Sequence, residues 1–355
     1  AISIICPEKP PNRKNTSVMK TFSSKKVLFL GAFFVCIMVL SLSFFFDIMH
    51  PVPGRNQTAL VDIPRGKGFL AIVDTLGDKG VIRNKVFFFL LALSRGAALH
   101  IKAGEYEFPP DISPSAILDK LVKGDIKRYR VTIPEDLTVQ EIADRLAQSG
   151  LIDPKYFIDL SKDAVFLSSL GIDGDSIEGY LYPETYSFDR SMGAREIMTL
   201  MVDEFRKHIT PAMKNRARTL GFTLHEWVTL ASIIGKETGY GEEKGLVSAV
   251  FHNRLKKGMK LQSDPTAVYA IKDFNGPIKR RHLDSASAHN TYRINGLPPS
   301  PIANPGLDSL QAALHPAGVN YLYFVSRNNG THFFSSNYIT HHRAVKKYQT
   351  NEKKE

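Results

Sequence analysis

One run of residues dictates more about this chain's topology than any other. Val27 to Phe46 carries no charge, is flanked by Lys25 and Lys26 on one side and Asp47 on the other, and is long enough as a helix to cross a hydrocarbon core of about 30 Å. A cleavable signal peptide would have a shorter apolar region, about 7–15 residues, and a small-residue cleavage site that the sequence after Phe46 does not offer. A lipid-attachment site at Cys36 is a poor fit, because Cys36 follows Val35 in the middle of the apolar run. The reading is a single anchor. Lys9, Arg13, Lys14, Lys20, Lys25 and Lys26 precede it and predict a cytoplasmic N-terminus, with everything after Asp47 on the other side of the membrane. MKTFSSKKVLFLG, from Met19, looks like a natural start, so residues 1–18 read as a mis-called extension and receive no role.

The 355 residues leave room for two folded domains beyond the anchor. Hydrophobic residues make up 43% and charged residues 23%, which is ordinary for a globular protein. Cys6 and Cys36 both lie at or before the anchor, so the exported part folds without disulfides. A formal charge of +11 suits nucleic acid or an acidic surface. No helix-turn-helix, zinc-finger or aromatic–basic pattern accompanies it, so nucleic acid is not expected as a partner. G-x-x-x-x-G-K-[ST] and G-x-S-x-G are absent as well, which removes nucleotide-loop and esterase readings. His315, His332, His341 and His342 lack metal-ligand spacing; neither a metal nor any other cofactor is expected.

An internal repeat organises the first half. Val61 to Ile82 aligns with Val131 to Ile152 at an offset of 70, pairing Ile63 with Ile133, Pro64 with Pro134, Ile72 with Ile142, Leu76 with Leu146 and Gly80 with Gly150. Each copy predicts a short strand, a helix and a glycine C-cap. The first copy continues through Phe87 to Ser94, a strand in IKAGEYEF (Ile101 to Phe108) and a helix from about Ser113 to Val122, with Ser113 as N-cap. The second leads to EGYLYPETYSF (Glu178 to Phe188), whose alternation fits a strand. Its Tyr180, Tyr182 and Tyr186 read either as core or as sugar platforms. Met198 to Ile209 reads as a helix, Tyr321 to Ser335 as a hairpin around Asn328-Asn329-Gly330, and His341 to Tyr348 as a closing helix.

The chemistry concentrates between these segments. Thr223 and Glu226 form a T-x-x-E capping box, and Trp227, Leu230, Ile234 and Glu237 follow on one helical face. Glu237 therefore extends a row of core residues, with Gly239 and Gly241 predicted to stop the helix just beyond it. A carboxyl placed so is desolvated, its pKa rises, and it can act as a general acid; the alternative is a half-buried Glu satisfied by a Lys or Arg. A second helix is expected from Glu243 to Leu255, ending in FHNRLKKGM. Then come LQSDPTAVYA, HNTYRINGLPPSPIANPG (His289 to Gly306), SLQAALHP and YLYFVSRNNGTHFFS.

In order and spacing this set resembles the endolytic murein transglycosylases, membrane-anchored lytic transglycosylases of bacteria. The resemblance runs from the membrane segment to about residue 348. It implies an α+β fold: a single N-terminal transmembrane helix (27–47) after a cytoplasmic tail (1–26), a small LysM-like α/β module (48–127), a mixed α+β catalytic domain (128–350) and a short tail (351–355). The module would bind glycan or serve as a spacer. The family's catalytic acid maps to Glu237. It would protonate the leaving O4 of N-acetylglucosamine and then take the proton from the C6 hydroxyl of N-acetylmuramic acid, leaving a 1,6-anhydro end without consuming water. A hydrolase of lysozyme type would need a second carboxylate, for which Asp264 and Glu184 are the candidates; Asp264 could equally form an Asx turn. Gln262, Ser263, Thr266, Asn290 and Tyr292 are candidate sugar-binding groups or loop-holding ones. The implied partners are nascent peptidoglycan strands, which carry acidic groups, and the synthases and other elongation or division proteins, at the bacterial inner membrane with the catalytic domain outside the cytoplasm. One departure stands out: the family usually has a second Glu two residues before the acid, where this chain has Gly235. Its loss removes a negative neighbour, and restoring a Glu there is expected to shift the pH profile slightly. Gly235 also leaves open a non-catalytic murein-binding scaffold.

Overall fold

The computed structural model describes residues 24–271, 274 and 276–350. The expected tails at 1–18 and 351–355, and the start at Met19, lie outside the described residues. The architecture is mixed α+β, and among the described residues the strands form three two-stranded sheets. Helix Ser24–Met49 contains, at Leu28–Met49, a stretch long and apolar enough to cross a membrane by length and composition.

The described residues fold as two compact units: those up to 61 with 66–102 and 107–125 form one, and 62–65, 103–106 and those from 126 onward the other. In the smaller unit, helices Phe69–Asp78, Lys85–Ser94 and Pro114–Lys123 bury Leu76, Phe88, Leu91, Ile117 and Leu121. Ser113 Oγ accepts from Ala116 N and Pro114 occupies the first helical turn, as its sequence predicts. Strands Ala59–Ile63 and Gly104–Phe108 pair with each other.

The repeat is visible in three dimensions. Helix Phe69–Asp78 ends in Gly80 at φ +64° and helix Val139–Gln148 in Gly150 at φ +66°. In both, the residue after the glycine donates back into the helix, Val81 N to Leu76 O and Leu151 N to Leu146 O, each at 2.9–3.2 Å. Only glycine takes that backbone conformation freely, which is why both copies keep it.

The larger unit is built around helix Leu224–Glu237. The sequence predicts a core on one stripe, but every residue from Trp227 to Gly235 is buried. The neighbours explain this: helices Leu307–Leu314, Gly241–Lys256 and Pro211–Thr219 all pack on it. A helix surrounded in this way has no solvent face. Its internal hydroxyls are satisfied locally: Thr229 donates to His225 O, and Ser232 donates to Thr229 O and accepts from Ile302 N. Trp227 Nε1 donates to Leu310 O at 2.9 Å, fixing the helix against Leu307–Leu314. Strand Tyr129–Thr132 pairs antiparallel with Thr185–Phe188, and Tyr323–Ser326 with His332–Ser335. The last two form the expected hairpin, with Asn328 at φ +63° and Gly330 at φ +83° in its turn.

Two local expectations are corrected. Helix Ala194–His208 starts earlier than the predicted Met198, and Pro211–Thr219 is a separate helix that its weak apolar period conceals. Glu178 to Phe188 is a strand only over Thr185–Phe188; Tyr180, Tyr182 and Tyr186 are buried and belong to the core, with Tyr182 stacked on His208 and Tyr186 Oη donating to Tyr182 O.

Candidate active site

The Thr223–Glu226 capping box forms in full, with Thr223 Oγ1 accepting from Glu226 N and Glu226 accepting from Thr223 N. Glu237 is the last helical residue. The helix is stopped by Thr238 in an extended conformation (φ −145°), not by a left-handed glycine, and Gly241 opens the next helix instead of closing this one. The carboxyl of Glu237 therefore stands where the chain leaves the core.

It opens into a groove of about 430 Å³. One wall is the following helix and its exit: Arg254, Leu261, Gln262 and Asp264. Tyr292 lines it from the His289–Gly306 segment, and Phe324, His332, His341 and Gln349 from the hairpin and the closing turns. Desolvation pushes the Glu237 carboxyl up to about 7; Ser263, donating to its Oε1, and the more distant Arg254 pull downward, while the negative Asp264 adds to the rise. Among the described residues its Oε2 has no donor.

The loop that presents Ser263 is held from behind. Thr291 Oγ1 accepts from Ser263 N at 2.9 Å, Thr266 donates to Ser263 O at 2.6 Å and shares a 2.7 Å contact with Thr291 Oγ1. Asn290 donates to Leu283 O and Ser285 O and accepts from Tyr292 N. Thr266 and Asn290 are thus buried loop-holding groups. Gln262 sits at φ +51°, lines the groove, and accepts from Arg254 at 3.2 Å. Asp264 makes no Asx turn; its Oδ1 accepts from Tyr292 Oη at 2.5 Å. Glu184 is not among the groove residues: it is exposed and accepts from Thr185 N.

Sequence alone does not single out Arg254, Phe324, His332, His341 and Gln349 as site residues. Arg254 is buried and donates to Leu322 O, Leu261 O and Gln262 Oε1, so it joins the hairpin to the Gln262 loop. His332 is oriented by Glu243, which accepts from both its backbone N and Nδ1. His341 stacks on Tyr323 at 5.0 Å, and burial lowers its pKa. A basic residue in the last turn of its helix, as Arg254 is, is the available signal.

Gly235 has a structural reason. A Cβ built on it would collide with the Asp136 carboxylate at Oδ1. Asp136 is at φ +63°, which Asp tolerates better than most residues, and burial pushes its carboxyl up to about 6 against the opposing fields of Lys244 and Lys236. The volume that a side chain at 235 would take already holds a carboxylate. A Glu at 235, expected to bring only a slight pH effect, would therefore also require Asp136 to move.

A groove with one desolvated, half-presented carboxyl among polar and apolar walls defines a class of site suited to proton transfer. The chain belongs to the YceG-like family, whose model matches residues 61–347. It is 30% identical over 319 residues to an endolytic murein transglycosylase of Bacillus subtilis (strain 168), covering 85% of this chain and 88% of that protein. A protein of the same name from Streptococcus pneumoniae serotype 2 (strain D39 / NCTC 7466) is 26% identical over 356 residues, covering 89% of this chain and 64% of that longer one. The crystal structure of a YceG-like protein from Listeria monocytogenes matches with a TM-score of 0.57 and 31% identity, over 81% of this chain and 99% of that one.

Proposed function

We propose that this chain is an endolytic murein transglycosylase, a lyase that cuts the bond between N-acetylmuramic acid and N-acetylglucosamine within nascent peptidoglycan strands. The observation that carries the reading is Glu237: a carboxyl raised to about 7 by burial, held at one oxygen by Ser263, and open to a groove at the other. At neutral pH it is protonated often enough to give its proton to the leaving O4. As a carboxylate it then accepts the C6 hydroxyl proton of the muramic residue, whose oxygen closes on C1 to leave a 1,6-anhydro end. One group serves both steps, so a second ionised carboxylate is not required. Asp264, the available second carboxylate, is engaged by Tyr292, which argues against the two-carboxylate arrangement of a hydrolase. Gln262 and Tyr292 are the groove's candidate sugar contacts, and Ser263 is a positioning residue for Glu237.

The reading extends to the whole chain. Residues 27–47 anchor the protein in the cytoplasmic membrane, with residues 1–26 inside. Residues 48–127 form a LysM-like module that binds or orients glycan, and 128–350 carry the catalysis outside the cytoplasm, ending strand elongation near the synthases. The Asp136 carboxylate against Gly235 gives the glycine a packing reason, which supports the enzymatic reading over a scaffold. Mass spectrometry of digested strands tests the reading: anhydromuramyl ends are expected. Reducing ends would mean a hydrolase, and uncut strands a scaffold.

A further inference from the structure

The groove does not end at the Asp264–Tyr292 pair. A second cleft of about 610 Å³ lies on the far side, and the same two residues line it, so the clefts adjoin through a shared wall. Its character differs. The first has one cation in its lining besides its histidines, the buried Arg254, which donates to Leu322 O, Leu261 O and Gln262; the second is lined by three, Lys279, Arg280 and Arg293, all exposed. Among the described residues Lys279 and Arg280 have no acidic partner within salt-bridge distance. Two acids, Asp264 and Asp284, share the lining with these three cations, so the cleft keeps an excess of positive charge, and Arg293 donates to the backbone oxygen of Asp284 rather than to its carboxylate.

The sugars of a glycan strand are neutral apart from the lactyl group and what it carries. Amides and hydroxyls suffice to bind neutral sugars, so cations beside a sugar groove call for a different part of the polymer. A strand cut internally must extend beyond Glu237 on both sides. We propose that the Lys279–Arg280–Arg293 cleft is a subsite for the carboxylates of the stem peptides borne by muramic residues next to the scissile bond. The enzyme would then prefer peptide-bearing strands to stripped ones. This rests on the transglycosylase reading above.

Exposed charge pairs are individually weak, so two cations should give a preference of about fivefold, and one that salt screens. The experiment uses the full-length protein in detergent with lipid-free glycan strands from one preparation, half of them stripped of peptides by an amidase. Cleavage of the stripped strands is the internal reference, and the readout is the ratio of the two rates, which does not depend on the fraction of protein that is folded. Wild type should favour peptide-bearing strands about fivefold at low salt and lose most of that at about 0.5 M salt. The Lys279→Gln/Arg280→Gln variant should bring the ratio below about twofold. A variant that keeps the wild-type ratio, or a wild type that cuts both substrates equally, overturns the subsite. A wild type that cuts neither substrate overturns the enzymatic reading instead, so the two failures are distinct.

Discussion

Glu178 and Glu237 are both carboxyls withdrawn from water in the larger unit, and burial pushes each up to about 7. Their surroundings otherwise have little in common. Glu178 Oε1 accepts from Asn304 Nδ2 at 2.7 Å and from Val139 N at 3.0 Å, and its Oε2 accepts from Tyr269 Oη at 3.1 Å. It therefore caps the first turn of helix Val139–Gln148 and ties that helix to the Asn304 segment. Glu237 has one side-chain donor and a groove. A raised pKa is thus common to a structural and a chemical carboxyl. The difference lies in the unspent oxygen and the space before it.

The largest expected effect breaks the pair apart by activity. Glu237→Gln keeps the shape but can neither give nor take a proton, and glycan cleavage should fall by about 10²–10⁴-fold. Glu178→Gln should stay within about threefold of wild type, because its amide oxygen can keep accepting from Val139 while its NH₂ donates to Tyr269. Initial rates on purified strands decide. Equal losses in the two variants would end the distinction.

Truncation reverses the ranking. Glu178→Ala leaves buried Val139 N without its acceptor, takes one of the two acceptors of Asn304 Nδ2 and frees Tyr269 Oη, and each unsatisfied buried group costs about 1–3 kcal/mol. A loss of about 3 kcal/mol or more in denaturant unfolding is expected. Glu237→Ala should cost clearly less, since water can enter its groove. If both variants unfold alike, Glu178 does not hold the core as its bonds suggest.

Much of this is legible in the sequence, and unevenly so. The capping box, the paired strand–helix–glycine repeats, the Asn-Gly hairpin and the face of Glu237 all follow from local rules acting over a few residues. Glu178 reads locally only as part of a strand, because its partners are 39, 91 and 126 residues away and no local pattern encodes them. Thr266 and Asn290 look like sugar contacts for the same reason: amides and hydroxyls that hold a loop are chemically identical to ones that hold a ligand. Arg254 and the histidines on the groove wall arrive through tertiary packing of the hairpin. The packing reason for Gly235 is hidden in the same way, because its neighbour in space, Asp136, is about a hundred positions away along the chain.

That last contact sharpens the comparison at a third carboxyl. Gly235→Ala gains up to about 1 kcal/mol of helix propensity but drives a Cβ into Asp136, and overpacking costs about 1–3 kcal/mol. A net destabilisation is expected. Asp136→Gly should relieve it, since glycine accepts φ +63° without strain and vacates the space. Thermal unfolding of the two single variants and the double variant should give a favourable coupling of about 1 kcal/mol or more. Strictly additive effects would mean that Asp136 moves aside freely and that Gly235 is not there for its sake.

The smallest effect concerns tuning. For Glu237 to begin the reaction it must be protonated, so a pKa near 7 gives a rate that is high below pH 7 and falls as pH rises through it. The negative charge of Asp264 favours the protonated form and raises that pKa. Asp264→Asn removes the charge while leaving an oxygen to accept from Tyr292, so the pKa should drop and the falling limb should move to lower pH. With burial as the dominant cause, a shift of only a few tenths of a unit is expected. Glu178→Gln is the control: Glu178 is not among the groups that act on Glu237, so its removal should leave the limb where it is. A kcat/KM profile in which Glu178→Gln moves the limb and Asp264→Asn does not would reassign the titrating group from the groove to the core.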